Sequence, residues 1–111
     1  MLKADVLRKK EDFTSIYKRE RSVPSKFVVV FYRKNHLPYN RKAFLASKKV
    51  GKSVQRNRAR RLMKESYRQL EEQLPQGWDF IFIARQTILD SKCADVKKSM
   101  EAAIKRAGIL K

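Results

Sequence analysis

Cys93 is the only cysteine in this chain, so neither an intrachain disulfide nor a cysteine-based zinc site can form. His36 is likewise the only histidine, which excludes a nuclease built on paired histidines. No apolar run approaches the roughly 20 residues of a membrane span. The opening MLKADVLRKKED lacks the apolar stretch of a secretory signal. A cytoplasmic protein without membrane attachment is the expectation. Glycine and proline number three each and stand where turns would, with no internal repeat or low-complexity linker between them. Acidic side chains are scarce, 11 against 28 Lys and Arg, for a net charge of +17. Such an excess repels itself in a compact state unless a polyanion, nucleic acid or an anionic membrane, is the usual partner.

What is present suffices for one core, since 42% of the 111 residues are hydrophobic. A single domain over residues 1–111 is expected. Within 9–18, Phe13, Ile16 and Tyr17 recur at helical spacing. Glu11 and Asp12 read as the acidic first turn of that helix rather than as a metal pair. The remaining carboxylates are scattered, so no catalytic residue and no metal ligand is assigned. Phe27 to Tyr32, FVVVFY, reads as a strand covered on both faces, with a short strand before it near Val23. Residues 34–41 read as a hairpin loop into a third strand over 42–47. Pro75-Gln76-Gly77 makes a turn, and Trp78 to Ala84, WDFIFIA, reads as a buried central strand. Ser91 or Asp90 caps a final helix that stops at Gly108. The order αβββαβα predicts an α+β two-layer sandwich with helices on a mostly antiparallel four-stranded sheet.

The segment Lys48 to Arg68, KKVGKSVQRNRARRLMKESYR, holds nine of the basic residues and one acid, Glu65. With Ser53 as N-cap, a helix puts Ala59, Leu62, Met63, Ser66, Leu70 and Leu74 on one side. Asn57, Arg60, Arg61, Lys64 and Arg68 stack on the other, Arg56 lies at the border, and Arg58 projects to the flank near Glu65. Lys48, Lys49 and Lys52 extend the stripe ahead of the helix. A merely solvated face mixes signs, whereas this one offers only Arg61 with Glu65 as an i,i+4 pair. Cations in the first turn also oppose the helix dipole. Phosphates reverse both costs, and arginine adds bidentate bonding and stacking on unpaired bases. Charge and size alone leave a ribosomal or other structural RNA-binding protein as the alternative.

The stretch Ser47 to Glu65, SKKVGKSVQRNRARRLMKE, closely resembles the signature of the bacterial ribonuclease P protein subunit. The likeness extends to Glu11-Asp12-Phe13, Ile83-Ala84-Arg85 and Lys97-Lys98-Ser99. It implies a left-handed βαβ crossover. It also implies an accessory subunit of an endoribonuclease: the catalytic RNA, using Mg²⁺, cleaves the 5′ leader from precursor tRNA, and the protein binds no cofactor by itself. The resemblance places Lys48, Lys49, Lys52, Arg56, Asn57, Arg58, Arg60, Arg61, Lys64 and Arg68 on the catalytic RNA. It places the leader in a cleft between the first helix and the sheet, walled by Phe13 and Tyr17 with Val28, Val30 and Tyr32. A monomer bound 1:1 to the RNA is expected.

Overall fold

The computed structural model describes residues 6–7, 10–18 and 21–110, without the side chains of Tyr17 and Lys18. Its elements are α1 (Lys10–Lys18), β1 (Ser22–Pro24), β2 (Val28–Lys34), β3 (Arg41–Leu45), α2 (Ser53–Leu70), β4 (Trp78–Ala84) and α3 (Cys93–Arg106). Short 3₁₀ turns at Glu71–Gln73 and Gln86–Asp90 complete the chain order. The sheet runs β1-β2-β4-β3. β1 and β2, and β2 and β4, pair antiparallel, while β3 pairs parallel to β4.

That order corrects one expectation. Residues 34–41 do not close a hairpin, because β4 lies between β2 and β3. A parallel neighbour cannot be reached by a tight turn, so the chain from β3 to β4 must travel through α2. β4 becomes central and accordingly almost wholly buried, from Asp79 to Phe82 and again at Ala84.

Alternation along the strands divides the sheet between two sets of helices. On one face Val28, Val30, Phe80, Phe82 and Ala84 pack with Met63, Tyr67 and Leu70 of α2 and Val96, Met100 and Ile104 of α3. Tyr67 belongs to that core, its ring at 5.4 Å and 5.7 Å from those of Phe82 and Phe44. The helical wheel passed it over in favour of Leu62, which is only partly buried. On the other face Ile16 of α1 packs with Ala43, Ile81 and Leu7, and Phe13, Phe31, Leu45 and Ile83 lie half-buried around them.

Both caps also differ from expectation. Lys52, not Ser53, precedes α2, and its backbone N–H donates to Gln55 Oε1 at 2.7 Å. Gly51 makes this geometry accessible: its φ is +148°, and a Cβ there would stand 2.0 Å from that same Oε1. Lys92 precedes α3, with its N–H donating to Asp95 Oδ2 at 3.0 Å, while the buried Ser91 hydroxyl turns back to Ile88 O at 2.6 Å. In both helices the third residue reaches back to the first free amide, which leaves the expected Ser caps redundant.

Candidate nucleic-acid interface

The basic helix presents its cations as the 3.6-residue period requires. Ala59, Met63, Ser66, Tyr67 and Leu70 are buried, and Asn57, Arg61, Lys64 and Arg68 are exposed on the opposite side with Arg60 half-buried among them. Lys48, Lys49 and Lys52 are exposed just before the helix, and its first turn holds no acid. Asn57, Arg60, Arg61 and Lys64 line a shallow groove of about 440 Å³ together with Val54. Val54 is 77% exposed, an apolar side chain standing among cations. Its spacing of three and seven residues before Asn57 and Arg61 would have put it on the polar side of the wheel.

Several side chains in the stripe are not equivalent. Arg61 and Lys64 make no hydrogen bond or ion pair with any described residue. Glu65 bonds Arg68, three residues on, rather than Arg61, and that bond holds the Glu65 carboxyl below its ordinary range. The Arg68 guanidinium forks back across one turn to Glu65, leaving Arg61 without that partner. Arg60 donates to Asn57 Oδ1, so Asn57 orients a cation. Arg56 is half-buried, donating to Ser53 Oγ at 3.1 Å with its Nε buried and without a partner among the described residues.

Arg58 departs from the stripe altogether. It donates to Leu89 O at 3.0 Å and Ser91 O at 3.4 Å, tying α2 to the turn before α3. Arg58→Ala is therefore expected to remove about 1 kcal/mol of stability, lowering Tm by roughly 4–8 °C in a domain of this size. Arg61→Ala should leave Tm nearly unchanged and instead shallow the salt dependence of RNA binding. Thermal melts and salt titrations of the two variants side by side check the division.

The other candidate surface lies under α1 and requires a correction. Val28 and Val30 are 0% and 1% exposed and belong to the core beneath α2 and α3. Tyr32 shares their face and packs against Trp78 at 6.1 Å. All three therefore point away from α1. The residues towards α1 are Val29 and Phe31, which sit opposite Ile83 and Ile81 in register. FVVVFY is apolar at every position, so nothing in its pattern marks which alternate set meets which helix, and an error of one residue exchanges the faces. Phe13 stands on the expected side, half-buried against the same cluster as Phe31, Leu45 and Ile83. The Tyr17 side chain lies outside the described residues.

A notch of about 510 Å³ joins the two surfaces around the edge of β3, lined by Phe13 and Leu7 on one side and by Arg60, Lys64 and Arg68 on the other. The cationic stripe and the apolar surface under α1 are thus continuous, an arrangement that can hold a phosphate chain on one side and unpaired bases on the other.

A charged cluster that the sequence did not reveal lies at the end of that second surface. Asp79 of β4 has no exposed side-chain surface, and its two oxygens accept four bonds. Oδ1 takes Asn35 Nδ2 at 2.9 Å and Arg41 Nε at 2.8 Å. Oδ2 takes Arg33 Nε at 2.8 Å and Arg41 Nη2 at 2.7 Å. Burial by itself would raise the Asp79 pKa, but the bonds from Arg41, Asn35 and Arg33 outweigh it and hold the carboxyl below its ordinary range. The bond to Asp79 likewise raises Arg41. The signal for the cluster was the single charge inside WDFIFIA, since a carboxylate on a buried strand must be paired. Among the described residues no group of three or more His, Cys, Asp or Glu could hold a metal ion, and no helix is long and apolar enough to cross a membrane.

The family model described as Ribonuclease P matches residues 1–108 of the chain. A ribonuclease P protein component of Alkaliphilus oremlandii is 39% identical over 104 residues, covering 94% of this chain and 91% of that protein. Another from Clostridioides difficile is 41% identical over 104 residues, 93% and 91% of the two chains. The solved structure of Staphylococcus aureus RNase P protein superposes with a TM-score of 0.85 at 31% identity, covering 98% of this chain and all of that one (100%). That of the Thermotoga maritima protein gives 0.80 at 29% identity over 90% and 94%.

Proposed function

We propose, because this chain belongs to the ribonuclease P protein family, that its cationic stripe docks on the catalytic RNA while the surface under α1 takes the single-stranded 5′ leader of precursor tRNA. The observation that carries this reading is the one-sidedness of α2: Arg61 and Lys64 stand exposed and unpaired among described residues, with Arg60 beside them. The chain is the protein component of an endoribonuclease acting in tRNA maturation. In the proposal Lys48, Lys49, Lys52, Asn57, Arg60, Arg61, Lys64 and Val54 meet the catalytic RNA, Arg56 and Arg58 act mainly within the fold, and Phe13 with Val29 and Phe31 meets the leader. One contiguous stripe suits a 1:1 complex.

Mg²⁺ is expected for the cleavage that the family carries out, but the two carboxylates clustered at α1 do not fit it. Asp12 and Asp79 are both engaged by Arg33 and Arg41, and in this proposal the metal and the chemistry belong to the RNA. What the protein supplies is electrostatic. Catalytic RNA and precursor are both polyanions, and bringing them together costs repulsion that divalent ions otherwise screen. A chain of net charge +17 with cations on one side and an apolar, sequence-tolerant surface on the other offsets that repulsion and adds leader contacts. The relatives found do not favour the ribosomal alternative.

Leader removal by the catalytic RNA, measured across a Mg²⁺ series with and without the protein, tests the reading. The protein is expected to lower the Mg²⁺ needed for half-maximal cleavage several-fold. An identical Mg²⁺ dependence in its presence would overturn it.

A further inference from the structure

Arg33 of β2, Asp79 of β4 and Arg41 of β3 are aligned in register across three neighbouring strands, on the face that meets α1. Two cations flank one anion in this row, so it carries a surplus positive charge. The missing anion comes from α1. Asp12 accepts from Arg33 Nη2 at 3.2 Å and faces Arg41 Nη1 at 3.6 Å. Ser15, one turn on, accepts from Arg33 Nη1 at 2.5 Å. Every nitrogen of the Arg33 guanidinium is thereby used, with Nε held by Asp79 at 2.8 Å, and a planar, rigid fork links the sheet to the helix.

α1 has need of such an anchor. It is nine residues long, too short to be stable by itself, and Ile16 is its one fully buried apolar residue among those described. Held at Ile16 alone, the helix could pivot and carry Phe13 with it. The Asp12 contacts lie in the turn that bears Phe13, and they hold that turn at the cluster of Leu7, Ile16, Ala43 and Ile81 against which Phe13 packs. Asp12 also sits in the first turn, where the helix dipole favours a carboxylate.

We propose that the row Arg33, Asp79 and Arg41 is a socket for the first turn of α1, and that Asp12, by seating in it, is a positioning residue that sets Phe13 for the leader of precursor tRNA. The inference rests on the leader reading above. Asp12 touches no RNA in it, and its effect passes through Phe13.

The test uses the full chain assembled with the catalytic RNA, measuring affinity for precursor and for mature tRNA. Phe13→Ala is expected to reduce the precursor-to-mature ratio about tenfold, the range for one lost stacking contact. Asp12→Ala should reduce it by roughly three- to tenfold while leaving affinity for the catalytic RNA unchanged, and the double variant should fall no further than Phe13→Ala alone. Arg33→Lys, which keeps the charge but cannot span Asp79, Ser15 and Asp12 together, should reproduce the Asp12→Ala loss. If Asp12→Ala leaves the ratio intact while Phe13→Ala lowers it, or if the two losses multiply, the socket proposal is wrong and the leader reading stands. If Phe13→Ala itself leaves the ratio intact, the leader reading falls and takes the socket with it.

Discussion

Replacing Arg60, Arg61 and Lys64 together by alanine should weaken binding to the catalytic RNA by about 10²-fold or more without destabilising the protein. Each lost charge-assisted phosphate contact accounts for about 1 kcal/mol or more. The slope of log K against log salt should shallow by about 2 to 3, because each neutralised phosphate releases a little under one counterion. Stability moves the other way. Arg60 with Lys64 and Arg61 with Lys64 are like charges at i,i+4 and i,i+3, and such pairs cost roughly 0.2–0.5 kcal/mol each on a helix. Tm should therefore hold or rise slightly, against the usual effect of triple substitution. Arg56 is left out of the set because its guanidinium Nε is buried, so truncation would add lost packing to lost charge. An unchanged salt slope, or a fall in Tm as large as the fall in affinity, would remove the stripe as the docking surface.

Asp79→Asn is expected to cost about 3–5 kcal/mol of folding stability, the range for breaking a buried ion pair from one side. The reason is visible in the bonding. Both oxygens accept two donors each, and an asparagine can offer only one oxygen whichever way its amide turns, so two donors lose their acceptor and two arginines lose their anion. Against a total of about 5–15 kcal/mol for a typical domain, the loss would be evident in any chemical denaturation curve. The pH dependence follows from the sign of the shift. Asp79 is held below its ordinary range when folded, so its contribution is complete above the unfolded carboxyl value of about 3.9 and disappears as pH falls through the lower folded value. The gap between the native protein and Asp79→Asn should be constant from pH 8 to 5 and close only below about pH 4. A gap that closed near neutrality would show that another group governs the cluster.

The sequence alone settled the elements and the stripe, because both depend on short-range periodicity. Trp78 to Ala84 is the strand WDFIFIA as read, and residues 57, 60, 61, 64 and 68 share the outer side of α2 because 3.6 residues make a turn whatever surrounds them. Gly108 ends α3 with φ of +81°, as a residue without Cβ permits. Where the pattern was symmetric the sequence had no preference to express. FVVVFY is apolar on both sides, so only the packing of α1 on one face and of α2 and α3 on the other decided that Phe31, and Val29 with it by alternation, faces the α1 side while Val28 and Val30 do not. Arg58 and Arg61 are chemically identical and three residues apart, yet one meets carbonyls at Leu89 and Ser91 and the other meets none. Asp12, Arg33, Arg41 and Asp79 are spread over 68 positions of sequence and meet because β4 enters between β2 and β3. Periodicity is a property of neighbouring residues, whereas partners across a sheet are chosen by the path of the whole chain.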